Sequence, residues 1–260
     1  MDLLHRLQES GHEAAFAPRT MRDLGMDAGR IARFAEATEA GAWVVVAGPR
    51  EVLEWFSRQQ TPAFALFGRA SSVPLASTAP RRSEVYREVV DRLVTLGHRR
   101  VVLLVRNDRR KPSPGWEEQL ILEELRARGI RTGPYNLPDW DDSPAGLKRL
   151  IDSLFRHTPP TALLIDEAAL LVAVRDHLSR KGILAPDHVS LVCCDPDPVF
   201  DWCRPPVSHI DWDPRPLIRR VVKWAGNVSR GKDDRRRSHS KARFVPGGTI
   251  GRVGGKAGSR

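Results

Sequence analysis

The stretches Thr161-Ala-Leu-Leu-Ile-Asp166 and Val189-Ser-Leu-Val-Cys-Cys-Asp195 decide the fold class of this chain. Each is an apolar run of strand length that ends in an acid. Between them, apolar residues recur at helical spacing as far as Gly182, which marks the end of a helix. A strand–helix–strand unit with uninterrupted apolar strands is typical of a parallel sheet covered on both faces. Because ligands bind beyond the carboxyl ends of such strands, the two acids also indicate where a site would lie.

The same alternation of strands and helices runs through the rest of the chain. Helices are predicted to begin at Ser83, at Ser113-Pro114 and at Ser143-Pro144, because Ser and Pro are favoured at the N-cap and in the first turn. Further strands are predicted over Glu13–Ala17, Trp43–Ala47, Ala63–Phe67 and Val101–Val105. The pattern predicts an α/β protein with parallel sheets flanked by helices. Because it opens with a helix near Leu3, we expect that a first strand is missing and that a chain extended upstream by one strand is more stable.

Several motifs resemble those of LacI/GalR-type transcription regulators. They are Leu96-Gly-His-Arg-Arg-Val, Pro160-Thr-Ala-Leu-Leu, Gly182–Val192 with Asp195, Pro206-Val-Ser-His-Ile and Phe244-Val-Pro-Gly-Gly-Thr. The resemblance implies the two-lobed, periplasmic-binding-protein-like type I fold, with a small ligand held between two α/β lobes. Carried over to this chain, one lobe comprises residues 1–80 and 208–232, and the other comprises residues 81–207 and 243–260.

The chain departs from the family pattern in two respects. No helix-turn-helix precedes the first predicted elements, so we expect the effector-binding part of a regulator without its DNA-binding domain. Many family members have an Arg early in one helix where this chain has Glu117, and their "ND" pair is absent, with Ala168 near the place of its Asp. The resemblance therefore implies a small polar metabolite, a class that includes sugars, rather than a standard sugar effector.

Candidate ligand-binding residues follow the predicted strands. They are Arg106, Asp166, Asp195, Asp197, Phe200 and Trp202. Carboxylates accept hydrogen bonds from ligand hydroxyls, and aromatic rings stack on apolar ligand faces. For Asp195 the alternative is an acid that caps a loop. His98 lies between a helix end and a strand start, where a structural role is expected.

The net charge of +10 is concentrated near the end of the chain. Residues 230–260 contain ten Lys or Arg and two Asp, and the remainder has 32 basic and 30 acidic residues. The run of Arg235, Arg236 and Arg237 could contact phosphates weakly and without sequence preference. The alternative is a solvated tail. We therefore expect DNA contact only through a domain outside this chain or weakly through this segment.

Composition narrows the function classes that remain. The chain has neither a membrane-length apolar run nor a secretion signal, so we expect no membrane partner and a cytoplasmic location. Three cysteines without a CxxC pair fit a filling role in the core. No catalytic, cofactor or metal motif is found, so we expect a non-enzyme without cofactor. The family resemblance implies a homodimer. The alternatives are a free-standing or transporter-associated solute-binding protein and a small-molecule enzyme.

Overall fold

The computed structural model describes residues 3–70, 72–111 and 113–254. The helices are α1 (Leu3–Glu9), α2 (Ala28–Glu36), α3 (Arg50–Ser57), α4 (Ser83–Thr95), α5 (Asn107–Arg110), α6 (Trp116–Ala127), α7 (Pro144–His157), α8 (Ala168–Ser179) and α9 (Arg215–Val228). The strands are β1 (Trp43–Val46), β2 (Ala63–Leu66), β3 (Ala76–Arg81), β4 (Val101–Leu104), β5 (Ala162–Ile165), β6 (Ser190–Cys193), β7 (Ser208–Trp212) and β8 (Arg237–Val245). A short 3₁₀ helix spans Pro198–Trp202.

The chain divides into two compact units. Unit 1 comprises Met1–Arg81 and Asp213–Lys241, and unit 2 comprises Arg82–Trp212 and Ala242–Arg260. The chain passes from one unit to the other after β3, after β7 and within β8.

Unit 2 contains a sheet with the strand order β4-β5-β6-β7-β8. Neighbouring strands are parallel from β4 to β7, and β7 and β8 are antiparallel. Every residue of β4, β5 and β6 is buried. Apolar clusters cover the two faces because side chains alternate along a strand: Leu103 and Leu164 belong to one cluster, and Leu104 and Leu163 belong to the other. The prediction of parallel strands buried on both faces is confirmed.

Unit 1 contains a second sheet, with the order β1-β2-β3-β8 and parallel pairs throughout. Strand β2 is fully buried, and α1 packs against α9 while α2 packs against α3. The core of this unit is built around Leu53, Phe56 and Ala65. The predicted α/β architecture therefore holds in both units.

The strand predicted over Glu13–Ala17 is wrong. These residues are irregular, and Phe16 is 83% exposed. Within the described residues, β1 has a strand neighbour on one side, and that neighbour is β2. A strand needs a ladder partner to satisfy its backbone groups. The segment is held instead by local contacts, such as the one in which Gln8 Nε2 donates to the carbonyl of Ala14 at 2.9 Å.

The helix predicted to begin at Ser113-Pro114 begins later, at Trp116, with Gly115 as its N-cap. The backbone N–H of Gly115 donates to the carbonyl of Arg109 at 3.0 Å, and this bond closes the loop that follows the short helix α5. Sequence periodicity did not predict α5, because four residues are too few to show a helical repeat.

The start of α7 agrees with its prediction. Ser143 is the N-cap, its Oγ accepts from the N–H of Gly146 at 3.0 Å, and Pro144 occupies the first turn. Pro is tolerated there because the first N–H groups of a helix have no intrahelical partner. The loop ahead of this helix carries Asp142.

His98 and the two buried cysteines of unit 2 fit structural roles. His98 is buried, its Nε2 donates to the carbonyl of Gly251 at 2.9 Å, and burial lowers its pKa. Cys193 and Cys194 are buried and unpaired, and burial raises the pKa of the Cys194 thiol to about 12. Across the described ranges, no group of His, Cys, Asp and Glu is arranged to hold a metal, and no helix is long and apolar enough to cross a membrane.

The tight turn before α7 gives a test of this fold. A Cβ added at Gly146 would lie 1.9 Å from the carbonyl oxygen of Asp141, whereas one added at Gly133 would meet nothing within 4 Å. Gly146→Ala should therefore lower the free energy of unfolding by about 1–3 kcal/mol, despite the better helix propensity of Ala. Urea denaturation measures this loss. An equal effect of Gly133→Ala, the matched control, would show that the turn is not as described.

Candidate functional site

Charged side chains gather at the carboxyl ends of β4, β5 and β6 in unit 2. Parallel strands bring their carboxyl ends to one edge of a sheet, so the residues that follow them become neighbours. Arg106, Asp166 and Asp195 follow β4, β5 and β6 within two residues. We call the whole group the carboxyl-edge cluster; it consists of Arg82, Arg106, Arg109, Glu117, Glu118, Asp142, Asp166, Glu167 and Asp195.

Arg82 and Glu117 form a largely buried ion pair in the cluster. Arg82 Nε and Nη2 donate to the two carboxylate oxygens of Glu117 at 2.8 and 2.7 Å. The guanidinium also lies over the rings of Tyr86 and Trp212, at 5.9 and 5.4 Å from their centroids. Burial disfavours the charge of Arg82, yet Tyr86 and Glu117 raise its pKa overall, so this arginine stays charged.

Arg109, on α5, connects Glu117 to Glu118. Its Nη2 donates to Glu117 Oε2 at 2.7 Å, and its Nε donates to Glu118 Oε1 at 2.8 Å. Both acids lie in the first turn of α6, where the positive end of the helix dipole favours negative charge. Glu118 is buried, so its carboxylate depends on this partner.

Arg106 connects the loop after β4 to two other loops. Its Nη1 donates to Asp142 Oδ1 at 2.7 Å, and its Nε donates to Glu167 Oε1 at 2.7 Å. Asp142 Oδ2 also accepts from the backbone N–H of Asn107 at 3.2 Å. These contacts hold the loops ahead of α7 and α8 against the end of β4.

Asp166 is the least exposed acid at the strand ends, with 5% of its surface accessible. Its Oδ2 accepts from the backbone N–H of Arg106 at 3.0 Å, while its Oδ1 is buried without a hydrogen-bond partner among the described residues. Burial raises its pKa to about 7, against the opposing effects of the Arg106 N–H and of Arg109. An aspartate that holds its proton near neutral pH indicates a desolvated position where the neighbouring cations do not fully compensate the carboxylate charge.

Asp195 is the acid of the cluster that solvent reaches most easily, with a side chain 41% exposed. Its Oδ1 lies 3.9 Å from Arg82 Nη1. Partial burial raises its pKa to about 6, while Arg82 and Arg109 act in the opposite direction. An approaching ligand would therefore meet Asp195 before it met Asp166.

The structure brings together three of the six predicted ligand residues, which are Arg106, Asp166 and Asp195. The other three lie in and before the 3₁₀ helix. Asp197 caps that helix, its Oδ1 accepting from the N–H of Val199 at 2.8 Å. Phe200 is buried in the core beside His209, and Trp202 is 85% exposed. Their assignment to the ligand remains a prediction.

Sequence reasoning did not single out Arg82 or Arg109, the two arginines that pair with Glu117. Both follow a strand closely, as Arg106 does: Arg82 comes directly after β3, and Arg109 is on α5 after β4. Position after a strand was therefore a usable signal. The pairing with Glu117 joins residues 35 positions apart for Arg82 and 8 positions apart for Arg109, and it needs the fold.

The basic run near the end of the chain is largely engaged in ion pairs and hydrogen bonds. Arg235 pairs with Asp233 and Arg236 pairs with Asp234, while Arg237 donates to the carbonyl of Val73. The last basic positions of the predicted segment, Lys256 and Arg260, lie outside the described residues. Weak nucleic-acid contact by Arg235, Arg236 and Arg237 remains a prediction.

Asp166 gives a pH test of the site. A carboxyl group whose pKa is raised in the folded protein costs stability as pH rises from about 4 through 7, since the unfolded state loses its proton more easily. Asp166→Asn removes this cost. The free energy of unfolding of the variant, relative to the parent, should therefore increase by about 2–4 kcal/mol between about pH 5 and about pH 8.

Urea denaturation at the two pH values measures this difference. Asp176→Asn on the exposed face of α8 is the matched control, since its carboxylate is 61% exposed. Comparing parent and variant at each pH cancels the opposite contribution of His98, whose pKa is lowered. A variant-to-parent difference that stays constant with pH would show that Asp166 is ionised and solvated.

A comparison with curated protein sequences finds no match. A dimeric Lac repressor with a C-terminal deletion is 17% identical over 96% of this chain and 92% of its own, with a TM-score of 0.76. A LacI family regulator from Enterococcus faecium with bound ribose is 13% identical over 96% and 93%, with a TM-score of 0.71.

A third similar structure is a periplasmic binding protein/LacI transcriptional regulator from Alkaliphilus metalliredigens QYMF complexed with D-xylulofuranose. It is 12% identical over 95% of this chain and 91% of its own, with a TM-score of 0.73. At these identities the three structures establish the fold. The family model for a periplasmic binding protein-like domain matches residues 90–250. With that match over more than half of its length, the chain belongs to the periplasmic-binding-protein-like domain family.

Proposed function

We propose that this chain is the ligand-sensing and dimerisation core of a LacI-type transcription regulator, and that it binds a small polar metabolite at the carboxyl-edge cluster. The observation that supports the proposal most is Asp166. A buried carboxyl group with a free acceptor oxygen, at the strand ends where α/β folds bind ligands, is what a hydrogen-bonding site requires.

The cluster also has the rigidity that a binding site needs. Arg82 is held by a bidentate ion pair and two rings, and Arg106 is held by acids from two loops. Side chains fixed in this way lose little entropy when a ligand arrives. Asp195, which is partly exposed and has one distant cation beside it, can exchange water for a ligand donor.

Similar structures support the ligand class and the assembly. One of them holds ribose, another holds D-xylulofuranose, and the Lac repressor is a dimer. We extend these properties to this chain as a small polar effector and a homodimer. The proposed role places the protein in the cytoplasm, with DNA recognition by a separate domain.

A solute-binding protein is the second candidate function, because the similar Alkaliphilus structure is that of a periplasmic binding protein/LacI transcriptional regulator. The two functions differ in location. Fractionation of cells that express the intact gene product distinguishes them: recovery with the cytoplasm supports the regulator, and secretion supports the solute-binding protein.

Asp195 gives the test of the ligand site. Asp195→Ala should weaken binding of the best metabolite from a thermal-shift screen at least tenfold, because a charged hydrogen bond to a partly buried carboxylate contributes roughly 1.5–3 kcal/mol. Calorimetry on the parent and the variant measures the change. Asp176→Ala, which removes an exposed carboxylate on α8, is the control and should leave the affinity unchanged. Equal affinity of parent and Asp195→Ala would place the ligand elsewhere.

DNA binding gives a second test. Because Asp233 and Asp234 already pair with Arg235 and Arg236, the chain should bind duplex DNA non-specifically, with a Kd of about 10⁻⁶ M or weaker at physiological salt. The triple charge reversal Arg235→Glu, Arg236→Glu, Arg237→Glu should weaken this residual binding further, because these side chains are the predicted phosphate contacts. Fluorescence anisotropy with two unrelated duplexes measures both. Nanomolar, sequence-selective binding would reveal a DNA-reading surface in this chain.

A further inference from the structure

The arginines of the carboxyl-edge cluster are already paired. Arg82 donates to Glu117, Arg109 donates to Glu117 and Glu118, and Arg106 donates to Asp142 and Glu167. Three guanidinium groups are thus shared among four carboxylates. A ligand carboxylate or phosphate would have to displace one of these partners before it could bind an arginine.

The helix ends that face the same edge are also occupied by acids. Glu117 and Glu118 lie in the first turn of α6, and Glu167 is the N-cap residue of α8. A helix N-terminus attracts anions through its free N–H groups and its dipole. At this edge the protein's own carboxylates already supply that negative charge, so neither helix end favours an anionic ligand.

Two carboxylates remain after this pairing. Asp195 has a cation at 3.9 Å. Within the part of the chain that the structure describes, Asp166 Oδ1 and the amide oxygen of Asn107, the residue after Arg106, are buried without a hydrogen-bond partner. These groups accept hydrogen bonds, and the cluster as a whole has six carboxylates against three guanidinium groups. The chemistry that is missing is a donor with a positive charge.

We propose that the ligand of this site is a small metabolite with a protonated amine, which donates to the carboxylates of Asp195 and Asp166. The inference rests on the proposed function and narrows its ligand class. A cation gains from the excess negative charge, a neutral polyol offers donors without that gain, and an acid is repelled.

The charged groups around the two carboxylates set the pH dependence of binding. Arg106, Arg109 and Glu167 act on Asp166, and Arg82, Arg109, Glu117 and Glu167 act on Asp195. Cys194 also lies near, with a pKa of about 12, and does not titrate in the range considered. The pKa values of Asp166 and Asp195 are about 7 and about 6. An ammonium therefore binds best after these protons have left, and its affinity rises with pH.

The experiment uses two matched series of probes, each with one cation, one neutral compound and one anion. The first series is putrescine, 1,4-butanediol and succinate, and the second is cadaverine, 1,5-pentanediol and glutarate. Thermal shift at about pH 8 ranks all six on the full chain, and calorimetry gives the affinities. The amine of each series should bind at least tenfold more tightly than its neutral analogue.

Tighter binding of the neutral or anionic member of a series than of its amine, or no binding by either amine, would overturn this inference. The proposed function is judged separately, by the wider metabolite screen and Asp195→Ala. If a neutral metabolite binds and its binding depends on Asp195, the proposed function stands and the inference of an amine ligand is wrong.

A pH series with putrescine tests the role of Asp166 directly, since alkyl amines stay protonated up to about pH 10. The affinity of the parent for putrescine should rise at least fivefold between about pH 5.5 and about pH 8. In Asp166→Asn, the increase in affinity around pH 7 should be lost. The exposed control Asp176→Asn should retain the full rise. The same rise in Asp166→Asn and parent would contradict the role assigned to Asp166.

Discussion

The ion pair between Arg82 and Glu117 is the contact on which the carboxyl-edge cluster depends. Arg82 is the first residue of unit 2, directly after β3, and Glu117 lies in the first turn of α6. Both side chains are largely buried, so neither charge could remain without the other. Through Glu117 the pair extends to Arg109 and from there to Glu118. The position of α6 and the electrostatics of the strand ends are thereby coupled.

Pairing of this kind determines what the edge can bind. If the arginines were free, the strand ends would attract carboxylates and phosphates. Since Glu117, Glu118, Asp142 and Glu167 occupy them, the groups left for the proposed ligand are the acceptors of Asp166 and Asp195.

Much of the fold could be predicted from the sequence, and the reasons are physical. Buried parallel strands such as Val101–Leu104 and Ala162–Ile165 are continuous apolar runs, and Ser143 is a cap with a local mechanism. The strand prediction for Glu13–Ala17 failed because strand formation depends on a neighbouring strand, which a local sequence pattern does not show. Helix α5 was too short to show a period.

The candidate site was predictable in part. Arg106, Asp166 and Asp195 follow strands, so the topology rule found them. Asp197 and Phe200 also follow β6 and were selected for that position and for their residue type, and the fold uses them as a cap and as core. Arg82 and Arg109 also follow strands, but their ion pairs with Glu117 leave no periodic signal in a single sequence.

The central claim is that the strand ends hold a buried carboxyl group that the paired arginines do not compensate. Carboxyl carbon NMR of the protein labelled at aspartate, titrated with pH, measures this directly for Asp166. The account predicts a pKa of about 7 for Asp166 in the free protein and a lower value once putrescine is bound. A pKa near the ordinary value of about 4, unchanged by the amine, would contradict it.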